Sequence, residues 1–354
     1  MTDFHYYPQH SPVKTRVNLI RIIEPEVIRD NEMQRRISLL RERFHVYAHS
    51  IPFGLWAPGL AITPEMRTIT EIYLPIDEIV YAFDRFLSIS LKFSPSKRVT
   101  PIHTAASWPD ALNQLQRYVT RPDPSALLQR LMVDKSYRTG FLFALFLPDK
   151  HGGGFNRYPG QLRFLQRWLP ERLKLDGTDV LRCLDSACAT GESTYELAGI
   201  LMENNPQPER FLIHGTTIDP LELFSAAHIY FPHDPERQAS FRQRAEPVFK
   251  MGAADRIEFF TEDITLAVHE EREGYDLILC NGLLGGPVFH AEDHIADAIT
   301  GLEKRLREGG IILAADRFHG GWKKLVPDSF IHELFRKRGF LVQEISDGLV
   351  AQRA

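Results

Sequence analysis

Residues 183–198 read CLDSACATGESTYELA. Apolar residues give way to small ones, then to Gly191, then to a helix-forming run with Glu192 at its start. An α/β protein brings backbone amides up to a ligand in this way, where a strand turns into a helix. Around this stretch, from residue 180 onward, the short apolar runs VLRCLD, FLIHGTTID, RIEFF, YDLILCN and GGIILAAD alternate with helix-length segments at 192–204, 220–230 and 291–307. The alternation predicts a mostly parallel sheet with crossover helices on its faces. The C-terminal GFLVQEISDGLVAQRA can supply one or two further edge strands, the second antiparallel.

Upstream the rhythm is helical. Charged and apolar residues alternate at helical spacing through EMQRRISLLRERFHVYA, EIVYAFDRFLSIS and ALNQLQRYV. Prolines in HSPV, HSIPFGLWAPGL and FSPSKRVTPIH are expected to end or redirect these helices. RTGFLFALFLPDKHGGGFNRYPGQ interrupts the pattern, with Gly152, Gly153 and Gly154 in a loop between Pro148 and Pro159. In GQLRFLQRWLPERLKL the residues Leu162, Leu165 and Leu169 share one side of a further helix. The boundary expected near the glycine loop separates a mainly helical accessory or substrate-recognition region, residues 1–150, from an α/β domain at 151–354.

Bulk composition narrows the function classes. With 42 basic and 46 acidic residues in 354, a net charge of -4 provides no general pull toward nucleic acid or an anionic membrane. MTDFHYYPQH lacks the basic-then-apolar order of a secretory signal, and no window approaches the roughly 20 apolar residues of a membrane span. A cytoplasmic protein without membrane insertion is expected. Cys183, Cys188 and Cys280 lack paired short spacings, which speaks against a disulfide framework or a structural zinc site.

The chemistry of the first turn is selective. Ala187, Ala189 and Gly191 leave little side-chain bulk, and the spacing is neither GxGxxG nor GxxxxGK[ST]. Asp185 and Glu192 would repel a polyphosphate, so S-adenosylmethionine fits better than a nucleotide diphosphate; another nucleotide-like ligand and an unfunctionalised strand turn stay open. Asp219 ends the next apolar run, 28 residues after Gly191. A carboxylate there can accept from both ribose hydroxyls, or it can cap the helix that Pro220 begins.

Four ordered segments resemble the chemotaxis receptor methyltransferases. CLDSACATGESTYELA resembles their SxxCxTGEExYSLA region, TTIDPLELFSAAHIY their second-strand TDID segment, and YDLILCNGLL their fourth-strand FDxIxCRNVL segment. GFNRYPGQLRFLQRWLPERL resembles the TxFFRDxxxFxxLxxxxLPxL sequence that precedes the catalytic sheet. The resemblance implies a class I, Rossmann-like, mostly parallel seven-stranded sheet and transfer of a methyl group from S-adenosylmethionine. It implies a protein glutamate as acceptor; a small-molecule O- or N-acceptor and a non-enzymatic cofactor-binding or protein-interaction module are the alternatives. Receptor or other protein partners follow from the same resemblance.

Carried over residue by residue, Arg157 matches the family's cofactor-site arginine, Glu192 the acid after the motif glycine, and Asp219 the acid ending the second strand. Asn281 matches the asparagine after the fourth strand if one residue is gapped; otherwise Gly282 takes that place. Arg157 can fork onto a cofactor or substrate carboxylate, Glu192 can oppose an ammonium, and Asn281 can position either molecule. Read without the resemblance, the three could be a surface arginine, a helix-stabilising acid and a turn amide. Asp185, Ala187 and Asp263 complete the expected cofactor set, Asp263 meeting the adenine amino group. The family pattern is broken at Gly153, Asn156 and Ser193, all around cofactor and acceptor, and no compact basic N-terminal recognition domain is evident.

Other constellations are weaker. HAEDH at 290–294 lacks the glutamate of HExxH and reads as a polar helix start. Asn156, Tyr158, His290, Phe318 and Trp322 are candidates for the substrate rim, the last two on the loop ADRFHGGWKK. YFPHDPERQASFRQR, with its mixed charges, reads as a solvated insertion or partner contact. No GxSxG serine elbow is present.

Overall fold

The computed structural model of the chain describes residues 4–51, 56–95, 100–147, 154–175, 180–266, 274–286, 289–315 and 325–353. Residues 12–151 and 231–235 form one compact unit, and residues 1–11, 152–230 and 236–354 another.

The first unit carries α1 (Pro12–Leu19), α2 (Asn31–Ser50), α3 (Pro64–Tyr73), α4 (Ile76–Ser90), α5 (Pro101–Thr104), α6 (Trp108–Leu115), α7 (Pro124–Val133) and α8 (Lys135–Phe146). Pro64, Pro101 and Pro124 open helices rather than end them, because the first helical residue needs no intrahelical N–H donor. The core is aromatic, with Phe83 packed against Phe86, Trp108 and Phe141. RTGFLFALF does not interrupt the helices as expected; it is most of α8. Gly140 costs a helix about 1 kcal/mol relative to alanine, and burial of Phe141, Leu142, Phe143 and Leu145 outweighs it.

The second unit holds α9 (Pro159–Leu175), α10 (Glu192–Asn204), α11 (Pro220–His228), α12 (Pro235–Lys250), α13 (Glu292–Arg305) and α14 (Asp328–Lys337). Its strands are β1 (His5–Tyr6), β2 (Leu181–Ser186), β3 (Phe211–Thr217), β4 (Ile257–Thr261), β5 (Tyr275–Asn281), β6 (Leu306–Ala315), β7 (Phe340–Ile345) and β8 (Gly348–Arg353). They form one sheet in the order β1-β4-β3-β2-β5-β6-β8-β7. β4, β3, β2, β5 and β6 are mutually parallel, and β8 runs antiparallel between β6 and β7. This is a Rossmann-like, mostly parallel α/β sheet.

Two details differ from the sequence expectation. Among the described residues the sheet has eight strands, not seven, because His5 and Tyr6 pair antiparallel with Phe260 and Phe259. Two residues are too short to show a strand period, and residues 1–11 accordingly belong with the sheet rather than with the helices. The last strand is not an edge strand either; β8 is internal and β7 takes the edge. α10 and α11 pack on β3 and β4, while α13 and α14 cover the β6, β7 and β8 side. The buried strand residues are nearly continuous in β2 and β5, as expected for central parallel strands covered on both faces.

Candidate ligand-binding edge

The chain runs from β2 outward to β3 and β4, then returns to place β5 on the other side of β2. That reversal leaves a crevice at the carboxyl ends of β2 and β5, where open α/β sheets take their ligands. The turn at this point is bent tightly. Ala187 (φ 60°), Ala189 (φ 48°) and Gly191 (φ 89°) all adopt left-handed backbone within five residues. Alanine costs roughly 1–2 kcal/mol in that region, and two such residues at a strand terminus mark a loop shaped for something other than its own stability. The Cys188 amide donates to the Thr216 carbonyl (2.8 Å) and the Gly191 amide to the Cys188 carbonyl (2.9 Å). Gly191 is also required by packing, since a Cβ there would lie 2.8 Å from the Ala226 Cβ of α11.

Four carboxylates expected at the site occupy different environments. Asp185 is 1% exposed and accepts from the Ser193 and Thr194 hydroxyls, both at 2.6 Å. It ties β2 to the first turn of α10 from below. Ser193, where the resembled family has glutamate, supplies one of those bonds. Glu192, 4% exposed, accepts from Thr190 Oγ1 (2.6 Å) and pairs with Arg237 of α12 (2.8 Å). Asp219 is half-buried; its Oδ1 accepts from the Leu221 and Glu222 amides at 2.8 and 3.3 Å, capping α11. Burial raises its pKa, opposed by those two amides. Asp263 follows β4 and accepts from the amide and hydroxyl of Thr265 (2.9 and 2.7 Å), a local turn that holds it at the same edge.

Burial pushes the Asp185 carboxyl from 3.8 up to about 6, against the pull of its two hydroxyl donors. Between those values the folded chain keeps a proton that the unfolded chain has released. This group's contribution to stability therefore falls as pH rises through the interval and is constant above it. Asp185→Asn removes the titration. Urea unfolding at several pH values is expected to show wild type losing up to about 3 kcal/mol relative to the variant between about pH 4 and 7; a difference independent of pH would reject the assignment.

The segment before α9 crosses this edge. The Asn156 amide, on left-handed backbone, donates to Glu196 Oε1 of α10 at 2.6 Å. The half-buried Arg157 lies with its guanidinium carbon 5.9 Å from the centroid of the Tyr158 ring. Tyr158 is buried, and its hydroxyl is 4.0 Å from where a Gly282 side chain would begin. Gln161, 2% exposed on α9, exchanges two amide hydrogen bonds with Asn281 at 2.8 and 2.9 Å. Further along, the Gly160 amide donates to the Asp347 carboxylate in the β7–β8 turn. Residues 156–161 thus span the carboxyl edge from α10 past β5 to β8.

Arg157, Asn281, Glu192 and the 187–191 turn are therefore gathered around the reversal in strand order. His290 is exposed, just beyond a parallel bridge between Leu284 and Phe289. Gly153, Phe318 and Trp322 lie outside the described residues. Sequence reasoning missed Arg237, which sits in the segment taken for a solvated insertion, and Gln161, read only as a helix residue. Neither carries a local signal: Arg237 meets Glu192 across 45 residues and Gln161 meets Asn281 across 120. Cys183, Cys188 and Cys280 are buried free thiols. Among the described residues no group of acids, histidines and cysteines is arranged to hold a metal ion, and no helix is long and apolar enough to cross a membrane.

No protein-family model matches the chain. A chemotaxis protein methyltransferase of Listeria innocua is 24% identical over 174 residues, covering 46% of this chain and 61% of that protein. The match thus spans less than two thirds of the curated relative. Among solved structures, a magnesium protoporphyrin IX methyltransferase of Synechocystis with bound S-adenosylhomocysteine has 18% identity and a TM-score of 0.35, covering 61% of this chain and 95% of that one. The N-methyltransferase NodS of Bradyrhizobium japonicum in complex with S-adenosylhomocysteine has 15% identity and a TM-score of 0.35, covering 62% and 97%. The fold assignment itself stands on the strand order.

Proposed function

We propose that the chain binds S-adenosylmethionine at the carboxyl edge of β2 and β3 and transfers its methyl group to an acceptor held near β5. The observation that carries this reading is the pairing of the left-handed 187–191 turn with Asp219 at the end of the adjacent parallel strand. The turn would hold backbone against the ligand without side-chain bulk. Asp219 uses Oδ1 for its helix cap, leaving Oδ2 for a ribose hydroxyl. Asp263 would receive the adenine amino group. The sequence resemblance and the similarity to a chemotaxis protein methyltransferase support the same class.

The bound sulfonium carries an already electrophilic methyl group, so the protein's task is to align the acceptor and exclude water. Arg157 would orient a carboxylate, of cofactor or acceptor, through its fork of donors. Asn281 is held in one orientation by Gln161, which fixes its amide at the end of β5 rather than leaving it to choose a rotamer. Glu192 faces Arg237 first, so its part is to hold the turn in place; an ammonium would share it only alongside the guanidinium. A protein glutamate is the acceptor implied by the sequence resemblance. An ionised carboxylate needs no base, whereas an alcohol would.

Asp219→Asn separates binding from folding, because asparagine caps a helix about as well as aspartate. Titration with S-adenosylmethionine is expected to show roughly 10- to 100-fold weaker binding, the loss of one charge-assisted hydrogen bond, with unchanged thermal unfolding of the free protein. Unaltered affinity would remove Asp219 from the site. Wild type that binds NAD and ignores S-adenosylmethionine would overturn the reading as a whole.

A further inference from the structure

The helical unit carries a pair of histidines that methyl transfer does not use. α2 ends at Ser50, and its last two turns hold His45 and His49. Side chains four residues apart on a helix lie one above the other on the same face. Met33, Ile37, Leu40 and Tyr47 give α2 its buried face, and both histidines are exposed on the other side of the helix. Their ring centroids are 4.1 Å apart, with the ring planes inclined at 31°. Two imidazoles this close are within the span of a single metal ion, whose bonds to histidine nitrogens are about 2.0–2.1 Å long.

A second observation fixes the orientation of one ring. His49 Nδ1 lies 2.8 Å from the His45 carbonyl oxygen. A carbonyl only accepts, so Nδ1 carries a proton, and in the neutral ring Nε2 is left with the lone pair. Metal-bound histidines use this arrangement, one nitrogen donating to a carbonyl or carboxylate while the other binds the ion. The last carbonyls of α2 add the negative end of the helix dipole, which favours a cation. Arg41 and Glu42, exposed one turn earlier, carry opposite charges, so the imidazoles decide what binds. His290 and His294 have the same spacing without the same geometry, because α13 begins only at Glu292 and His290 precedes it. No cluster of three or more metal-ligating side chains is present among the described residues; the α2 pair is a two-ligand site whose other positions are open to water.

We propose that His45 and His49 chelate a late first-row divalent metal ion, Zn²⁺ or Cu²⁺, through their Nε2 atoms. Imidazole suits these ions, whereas Mg²⁺ and Ca²⁺ take oxygen ligands. The helix holds the second imidazole beside the first, so the second bond forms at the high effective concentration of an intramolecular ligand. Binding through both rings therefore exceeds binding through either one. With two protein ligands instead of the four of a closed structural site, the ion is exchangeable. The site lies wholly within the helical unit and stands or falls independently of the methyl-donor reading.

The test titrates the full chain with Zn²⁺ by calorimetry and follows the imidazole NMR signals of His45 and His49 in parallel. One equivalent of Zn²⁺ is expected to shift both sets of signals together, and Mg²⁺ to shift neither. Cu²⁺ is expected to bind more tightly than Zn²⁺. His45→Gln, His49→Gln and the double variant are each expected to weaken that equivalent at least 10-fold and by similar amounts, because losing either ring ends the chelate. Glutamine is a good helix former at these exposed positions, so the helix is kept. His49→Gln combined with Ser50→His keeps the number of histidines but turns the second ring about 140° around the helix from the first. That chain is expected to bind no better than His49→Gln alone. Unchanged affinity in the variants, full binding by the displaced histidine, or an equal response to Mg²⁺ would overturn the site. So would separate responses of the two rings in the wild-type chain, a result that requires no variant to fold.

Discussion

Gly191→Val is expected to abolish S-adenosylmethionine binding and to lower the unfolding free energy by about 3–5 kcal/mol. Two independent costs add. The residue sits at φ 89°, where an L side chain costs roughly 1–2 kcal/mol and a β-branched one more. The new Cβ would also press on the Ala226 Cβ at 2.8 Å and the Phe259 ring at 3.3 Å, in a packed region where overfilling costs about 1–3 kcal/mol. Relief by movement is blocked from two sides. The Tyr195 hydroxyl bonds the Ala226 carbonyl at 3.0 Å, and Phe259 already fills the space over Gly215. Ala226→Gly in the same chain should recover part of the packing cost and none of the backbone cost, which urea unfolding of both proteins would measure. Wild-type stability and affinity in the single variant would mean that the turn is neither tight nor part of the site.

Arg237→Met is expected to destabilise the chain by about 3–5 kcal/mol, the usual effect of stranding one member of a buried pair. Glu192 would lose its cation and one of the two groups that satisfy its carboxylate. The Thr190 hydroxyl would lose the guanidinium donor as well, at 2.7 Å. Adding Glu192→Gln should recover most of the loss, because a neutral amide tolerates this environment where a lone carboxylate does not. If the double variant is as unstable as Arg237→Met alone, the guanidinium acts through its packing rather than through charge. The functional readout moves with the structural one, since the pair braces the first turn of α10 directly after Gly191.

The family-like segments were readable because they depend on local order along the chain. The strand periods around CLDSACATGESTYELA, the proline after Asp219 and the small residues of the first turn each reflect a constraint felt within a few residues. The helix RTGFLFALF was misread for the same reason: its glycine is a local signal, and the burial that outweighs it is not. The two-residue strand β1 left no pattern at all, since its existence depends on pairing with Phe259 and Phe260 more than 250 residues away.

At the candidate site the division is similar. Asp185, Glu192 and Asp219 could be placed at strand ends from sequence, but the sequence could not assign their partners. Ser193 and Thr194 both occupy Oδ2 of Asp185, Thr190 and Arg237 occupy the two oxygens of Glu192, and the helix cap occupies Oδ1 of Asp219. By itself the sequence determined the alternation of strands and helices and the residue types at the strand termini, because periodicity and backbone preference act over a single element. Tertiary structure alone decided strand order, the eighth strand and which carboxylates remain available. Those outcomes depend on which distant groups meet in a low-dielectric interior, where an unpaired charge is too costly to leave unmatched.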